Sequence, residues 1–261
     1  PTVEVEGALV VSGYPDVEAR ATGLSVRVFI RDGGGERLRV RLTNMDPAST
    51  TLEGLPPGSR VVRGANSIDL EMEVEGDLTL TASPAEVSDR FTFFVIGDTQ
   101  GYGGPLERMV RDANRDRPLF VLHCGDLTPS GTEEQFRSLM TSLEDLEVPM
   151  FTTPGNHDAK GDVAHYLETL APSSYSFSYG PWSFVTVSTA EAGVREEDLE
   201  WLEETLDDAR ARGGTPVVFT HVPPVDTVVE DHAFLSAEEG QRFIRMMADA
   251  GVAAVFNGHN H

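Results

Sequence analysis

Phe91-Thr92-Phe93-Phe94-Val95-Ile96-Gly97-Asp98-Thr99-Gln100 decides the fold. Its first part is a near-continuous apolar run, the pattern of a strand covered on both faces, and the run breaks into a Gly and a carboxylate. Four later segments repeat that form. Leu119-Phe120-Val121-Leu122 leads through His123 and Cys124 into Gly125-Asp126, and Val148-Pro149-Met150-Phe151 leads into Pro154-Gly155-Asn156-His157-Asp158. Val217-Val218-Phe219-Thr220 closes on His221, and Ala253 to Phe256 precedes Gly258-His259-Asn260-His261. A further strand is expected over Ser183 to Ser188. Helical periodicity fills the intervals: Pro105 to Arg115, with Leu106, Met109 and Val110 on one side, Thr132 to Leu146, Glu196 to Ala211 and Ala237 to Ala250. Thr132-Glu133-Glu134-Gln135 has the spacing of a capping box. Apolar strands spaced by helices predict a layered α/β domain over residues 89–261, with ligands bound outside the carboxyl ends of its strands. All five segments lie at such ends.

Residues 1–88 read differently. Leu24 to Ile30, Leu38 to Leu42, Ile68 to Val74 and Leu78 to Thr81 alternate apolar and polar residues at period two, so each strand has one wet face. Asp32-Gly33-Gly34-Gly35, Pro56-Pro57-Gly58 and Glu75-Gly76-Asp77 supply turn signals between them. Ala8-Leu9-Val10-Val11 is a further short strand candidate. With no helical period, an antiparallel β-sandwich domain of immunoglobulin or fibronectin-like type follows, serving packing or targeting. It holds no His, Cys or ligand cluster.

The bulk numbers narrow the function classes. Twenty basic against 43 acidic residues give a net charge of −23, which argues against a broad nucleic-acid or anionic-membrane surface, because both need clustered Lys and Arg. Lys160 is the sole lysine. No apolar run approaches the ~18 residues of a membrane span. The single cysteine, Cys124, excludes an internal disulfide and reads as a buried structural thiol at a strand end. The chain opens at Pro1 rather than Met, compatible with a removed leader, and this with the leading sandwich gives a slight preference for an extracytoplasmic location.

Divalent metals need carboxylate, imidazole or amide-oxygen ligands on stiff backbone, and Gly lets the chain turn sharply beside an ion. Asp98, Asp126, Asn156, His221, His259 and His261 are such residues, each next to a strand end. A strand-end Asp alone would be a cap, and a lone His a surface residue. Five such segments in one sheet system are the signal.

In order, these segments resemble the motif series of the calcineurin-like metallophosphoesterases: Asp-x-His, Gly-Asp-x, Gly-Asn-His-Asp/Glu, His and Gly-His-x-His. Tyr175-Ser176-Phe177-Ser178-Tyr179-Gly180, Asp198-Leu199-Glu200-Trp201-Leu202 and His221-Val222-Pro223-Pro224 resemble the family's linking text. The resemblance implies two divalent ions, drawn from Mn, Fe, Zn, Ni or Co, with Asp98 and His261 on the first, Asn156, His221 and His259 on the second, and Asp126 bridging. It implies a phosphoesterase for a small phosphorylated substrate, monoester or diester, with metal-activated water as the nucleophile. His157 would face the leaving oxygen and Asp158 would orient it. Gln100 departs from the pattern, standing where the family's His would ligate the first metal; its amide oxygen is a poorer ligand, implying a weaker first site. The redox-active purple branch places a Tyr where this chain has Pro129. His123 is expected to make an outer hydrogen bond, while His165 and the acidic segment around His232 are read as lying outside the ligand set. The family continues with further strands past its last motif, so the resemblance also implies a protein extending beyond His261. A nuclease of the same superfamily, or a weakly active or non-catalytic binding protein with this fold, are the alternatives.

Overall fold

The computed structural model describes residues 1–101, 104–226 and 232–260. The leading residues form β1 (Thr2–Glu6), β2 (Ala8–Ser12), β3 (Asp16–Ala21), β4 (Val26–Thr43), β5 (Thr50–Glu53), β6 (Arg60–Arg63) and β7 (Ser67–Pro84), hydrogen-bonded as one sheet. Its spine is the long antiparallel pair of β4 and β7. The turn signals at Asp32–Gly35 and Glu75–Asp77 do not end strands; they become facing bulges inside that pair, with register shifts around Gly33 and Gly34. Gly33 is required there because a Cβ would lie 2.5 Å from the Val74 carbonyl oxygen. The expectation of a purely antiparallel arrangement also needs correction, since β3 pairs in parallel with β4. Val26, Val28 and Ile30 from one end of β4, and Leu38, Val40 and Leu42 from the other, share one core with Ile68, Leu70, Leu80 and Ala82 of β7.

The remaining chain builds two sheets. β8 (Phe94–Ile96), β9 (Val121–His123) and β10 (Met150–Thr152) are parallel in the order β10-β9-β8. β11 (Tyr175–Tyr179), β12 (Trp182–Thr186), β13 (Thr215–Phe219) and β14 (Ala254–Phe256) lie in sequence order, the first pair antiparallel and the rest parallel. The sheets face each other: Phe120 and Phe151 pack against Phe177, which stacks 5.0 Å from Phe184. Outside the first sheet, α1 (Gly104–Asp116) buries Leu106, Met109, Val110 and Ala113, and α2 (Glu133–Ser142) buries Phe136 and Leu139. Thr132 caps α2 with the capping box its sequence implied. Outside the second sheet, Val185 and Val218 meet Leu199, Leu202 and Leu206 of α4 (Glu196–Ala211) and Phe243 and Met247 of α5 (Ala237–Asp249). The short α3 (Val163–Thr169) carries His165 and is capped by the Asp162 carboxylate.

One strand departs from its sequence pattern. The run from Phe91 predicts a strand covered on both faces, yet β8 spans Phe94–Ile96, lies at the end of its sheet and leaves Val95 40% exposed. Phe91 and Phe93 serve the core outside the strand, Phe93 stacking 5.3 Å from Phe120. The leading sheet is joined to β10 by the buried Asn44, whose amide donates to the carbonyls of Ala21 and Met150 and accepts the Met150 N–H. That side chain acts as a one-residue strand partner.

Candidate metal centre

The carboxyl ends of both sheets converge. Beyond β8 and β9 the loops are laced together: Asp98 N–H donates to the Gly125 carbonyl, Gln100 N–H to Asp126 and Gly101 N–H to Leu127, at 2.7–3.0 Å. Asp98, Gln100, Asp126 and His259 all hold left-handed backbone, with φ of 57°, 45°, 56° and 73°. Non-glycine residues resist that conformation, and its clustering where function resides is a recurrent use of strain. The second sheet is sewn across: Gly258 N–H donates to the His221 carbonyl, and His259 N–H reaches both Asp98 carboxylate oxygens at 2.9 and 3.0 Å.

Asp98, Asp126 and His221 bring one ligand atom each within 4.8 Å of one another. Asp126 and His221 are buried. His221 Nδ1 lies 2.7 Å from the Cys124 carbonyl oxygen, which can only accept, so the proton sits on Nδ1. Its Nε2 lies 2.9 Å from Asn156 Oδ1 and 3.3 Å from Asp126 Oδ1, with the Asn156 amide oxygen turned inward. An imidazole nitrogen, an amide oxygen and a carboxylate oxygen meeting at these distances are a donor set that fits a divalent metal. The carbonyl behind His221 is the outer partner that fixes a ligating imidazole's tautomer. Burial, reinforced by His221, lowers the His259 pKa against the opposing pull of Asp126 and Asp98, and so favours its neutral, ligating form. Close approach makes two glycines obligatory. A Cβ on Gly155 would fall 2.1 Å from Asp126 Oδ1, and one on Gly258 would meet Asp98 Oδ2 at 2.8 Å and His221 Nδ1 at 2.9 Å.

The structure thus brings Asp98, Asp126, Asn156, His221 and His259 to one place. Gln100 shares the same loop through its backbone. His261 lies outside the described residues. His157 stands beside the cluster, its N–H donating to Asp126 Oδ1 at 2.8 Å and its Nε2 3.9 Å from Asp126 Oδ2. Asp158 does not play the part expected of it. Its buried carboxylate accepts from the N–H groups of Leu127, Thr128 and Gly155 and from the Thr128 hydroxyl, tying the second ligand loop to the third. Burial raises its pKa, with those hydrogen bonds pulling the other way. Nδ1 of the His157 ring instead meets the Pro129 carbonyl oxygen at 2.7 Å. A backbone acceptor leaves no trace in residue type, so the sequence could not reveal it.

His123 is buried, its Nε2 3.0 Å from Thr99 Oγ1, as an outer partner of the Asp98 loop. Burial, with His221 adding to it, lowers its pKa to about 3, so it is neutral. The unfolded chain protonates this group below its ordinary pKa of 6.5 while the folded chain does not until about 3. Its contribution to stability is therefore complete above that window and lost as pH falls through it, at a slope of up to about 1.4 kcal/mol per pH unit. Urea unfolding at several pH values should show a steeper acid loss for wild type than for His123→Gln; equal slopes would refute the assignment. Sequence reading also missed Thr189, whose hydroxyl accepts the N–H groups of His221 and Val222 and holds the β13 end. His232, read as part of a solvated acidic loop, is exposed, yet its ring lies 5.4 Å from that of His259. Residues 227–231 of that loop lie outside the described residues. Cys124 is buried with its pKa pushed up to about 12 by burial, as expected of a structural thiol.

The calcineurin-like phosphoesterase family profile matches residues 91–261. A glycerophosphodiester phosphodiesterase GpdQ from Enterobacter lignolyticus is 30% identical over 162 residues, covering 56% of this chain and 57% of that protein. A serine/threonine-protein phosphatase CPPED1 from Bos taurus is 27% identical over 202 residues, covering 64% of each. In both cases the match spans less than two thirds of the relative. Among solved structures, a dimetal phosphatase from Danio rerio aligns with a TM-score of 0.55 at 17% identity, over 66% of this chain and 82% of its own. Purple acid phosphatase PPD1 from yellow lupin aligns with a TM-score of 0.57 at 16% identity, over 91% of this chain and 56% of its own. That coverage exceeds the share of the chain in residues 91–261, so the likeness in fold extends into the leading sheet.

Proposed function

From the premise that this chain belongs to the calcineurin-like phosphoesterase family, we propose that it is a dinuclear-metal phosphoesterase acting on a small phosphomonoester or phosphodiester. The observation that carries the reading is the convergence of His221 Nε2, Asn156 Oδ1 and the Asp126 carboxylate, within reach of Asp98, at the meeting of two sheets. Asp98, with Gln100 and His261, would hold the first ion; Asn156, His221 and His259 the second; Asp126 both. Divalent ions so held lower the pKa of water and draw charge from phosphoryl oxygens. The chain's own residues do the rest. Asp126, fixed by the His157 N–H, keeps both ligand sets in register. The Pro129 carbonyl holds Nδ1 of His157, so Nε2 is the ring nitrogen on the substrate side. Asp158 keeps the loops carrying Asp126 and Asn156 from separating. Pro129 stands where the purple branch has its Tyr, so iron charge-transfer colour is not expected. Residues 1–88 are read as an all-β accessory domain of immunoglobulin or fibronectin-like type, and residues 89–261 as the phosphoesterase domain.

The relatives' names point to both diesters and phosphorylated proteins, so the test is a panel. p-Nitrophenyl phosphate and bis(p-nitrophenyl) phosphate are to be assayed with Mn²⁺, Fe²⁺, Zn²⁺, Ni²⁺ and Co²⁺. Turnover of either ester supports the reading; no turnover with both sites shown filled sinks it. Gln100→His replaces an amide oxygen by imidazole at the first ion and should raise metal affinity there about tenfold, on the scale of a modest ligand gain. An unchanged metal titration would remove Gln100 from the ligand set.

A further inference from the structure

Lys160 has no part in the ligand set, yet it stands over His157. Its Nζ lies 2.9 Å from Nε2 and 3.1 Å from Nδ1 of that ring. The two near-equal distances place the ammonium over the face of the ring rather than along either nitrogen's lone pair, while Nδ1 meets the Pro129 carbonyl and Nε2 is the nitrogen that faces the Asp126 carboxylate. A cation therefore sits 2.9 Å from the ring atom nearest the Asp126 carboxylate, at an edge of the site where the His157 side chain is 27% exposed.

The loop is built to hold it there. Ala159 N–H donates to the Gly155 carbonyl and Lys160 N–H to the His157 carbonyl, a turn that returns the lysine over the ring three residues earlier. The turn is pressed against the loop after β9: a Cβ on Gly131 would fall 2.2 Å from the Asp158 carbonyl oxygen, and one on Gly161 2.6 Å from the Gly131 carbonyl oxygen. Composition adds a chemical point. Of the 20 basic residues, the one at this turn is the only lysine. An ammonium is a compact point charge with three rotatable donors, whereas guanidinium is a broad planar fork. A point charge can follow a phosphoryl oxygen into a narrow mouth.

We propose that Lys160 contacts the substrate phosphate and selects a dianionic phosphomonoester over a monoanionic diester. This rests on the phosphoesterase reading. When the phosphoryl group enters, the ammonium leaves the ring face and donates to a charged oxygen, a strong partner. A diester has esterified the oxygen whose charge the ammonium would meet, so it gains less.

The test compares wild type with Lys160→Gln and Lys160→Arg in the metal-loaded protein. Loss of a hydrogen bond between charged groups is worth about tenfold or more, so Lys160→Gln should lower kcat/KM for p-nitrophenyl phosphate by about that factor, mainly through KM. Turnover of bis(p-nitrophenyl) phosphate should change far less. Inorganic phosphate, measured by calorimetry, should bind about tenfold more weakly to Lys160→Gln, with Lys160→Arg recovering part of the loss. Metal content and the urea midpoint should stay at wild-type values. Equal losses on both esters, or unchanged phosphate affinity, would overturn the proposal. If wild type hydrolyses neither ester, the phosphoesterase reading fails, and the phosphate-binding comparison still decides whether Lys160 holds phosphate.

Discussion

Asp126→Asn should lose both metal ions and lower phosphoesterase activity by about a thousandfold, about 4 kcal/mol of barrier. The size of the effect follows from position. The carboxylate is buried, one oxygen accepts the His157 N–H at 2.8 Å and faces His221 Nε2 at 3.3 Å, and its atoms share a cluster with Asp98. In the proposed ligand set, removing its charge weakens both ions together, whereas loss of an outer ligand weakens one. The variant should still fold, because Asn keeps the shape and can still accept from His157. Elemental analysis beside a rate measurement checks it; wild-type metal content in the variant would refute the bridging role.

Gly155→Ala should be damaging although it replaces no ligand residue. The new methyl group would fall 2.1 Å from Asp126 Oδ1 and 2.2 Å from its backbone nitrogen, too close for any rotamer to relieve. Either the Asp126 carboxylate moves or the loop carrying Asn156 does. Displacements near 1 Å at reacting groups cost on the order of a hundredfold in rate, and forcing an extra methyl into a packed site costs about 1–3 kcal/mol of stability. The expected result is a folded protein with a lowered urea midpoint, weakened metal binding and activity down about a hundredfold. Wild-type activity would mean that the loops are looser than their hydrogen bonds imply.

The sequence carried much of this site because its ligand types sit next to strands that apolar patterning reveals. Phe120 to Leu122 and Val217 to Phe219 are buried strands, as their composition demands, and α4 begins and ends where the helical period does. Other features were hidden for definite reasons. β11 alternates Tyr, Ser and Phe, and its length and polarity resemble a connecting segment until it pairs with β12. The Gly-rich stretch at Asp32–Gly35 reads as a turn, yet bends inside a continuous strand because Gly76 faces Gly33 across the pair. Asn44 has nothing in sequence to mark it, since its partners are the backbones of Ala21 and Met150. The same holds at the candidate metal centre. Carbonyls of Cys124 and Pro129 fix His221 and His157, and Asp158, a carboxylate beside a histidine in sequence, turns away to bind backbone N–H groups instead.

The most direct measurement of the central claim is electron paramagnetic resonance of the protein loaded with Mn²⁺. Two ions bridged by Asp126 would lie within ~3.5–4 Å of each other and should give an exchange-coupled spectrum that disappears in Asp126→Asn. A spectrum of isolated, uncoupled Mn²⁺ in wild type, unchanged by that substitution, would contradict a dinuclear centre at the meeting of these strand ends.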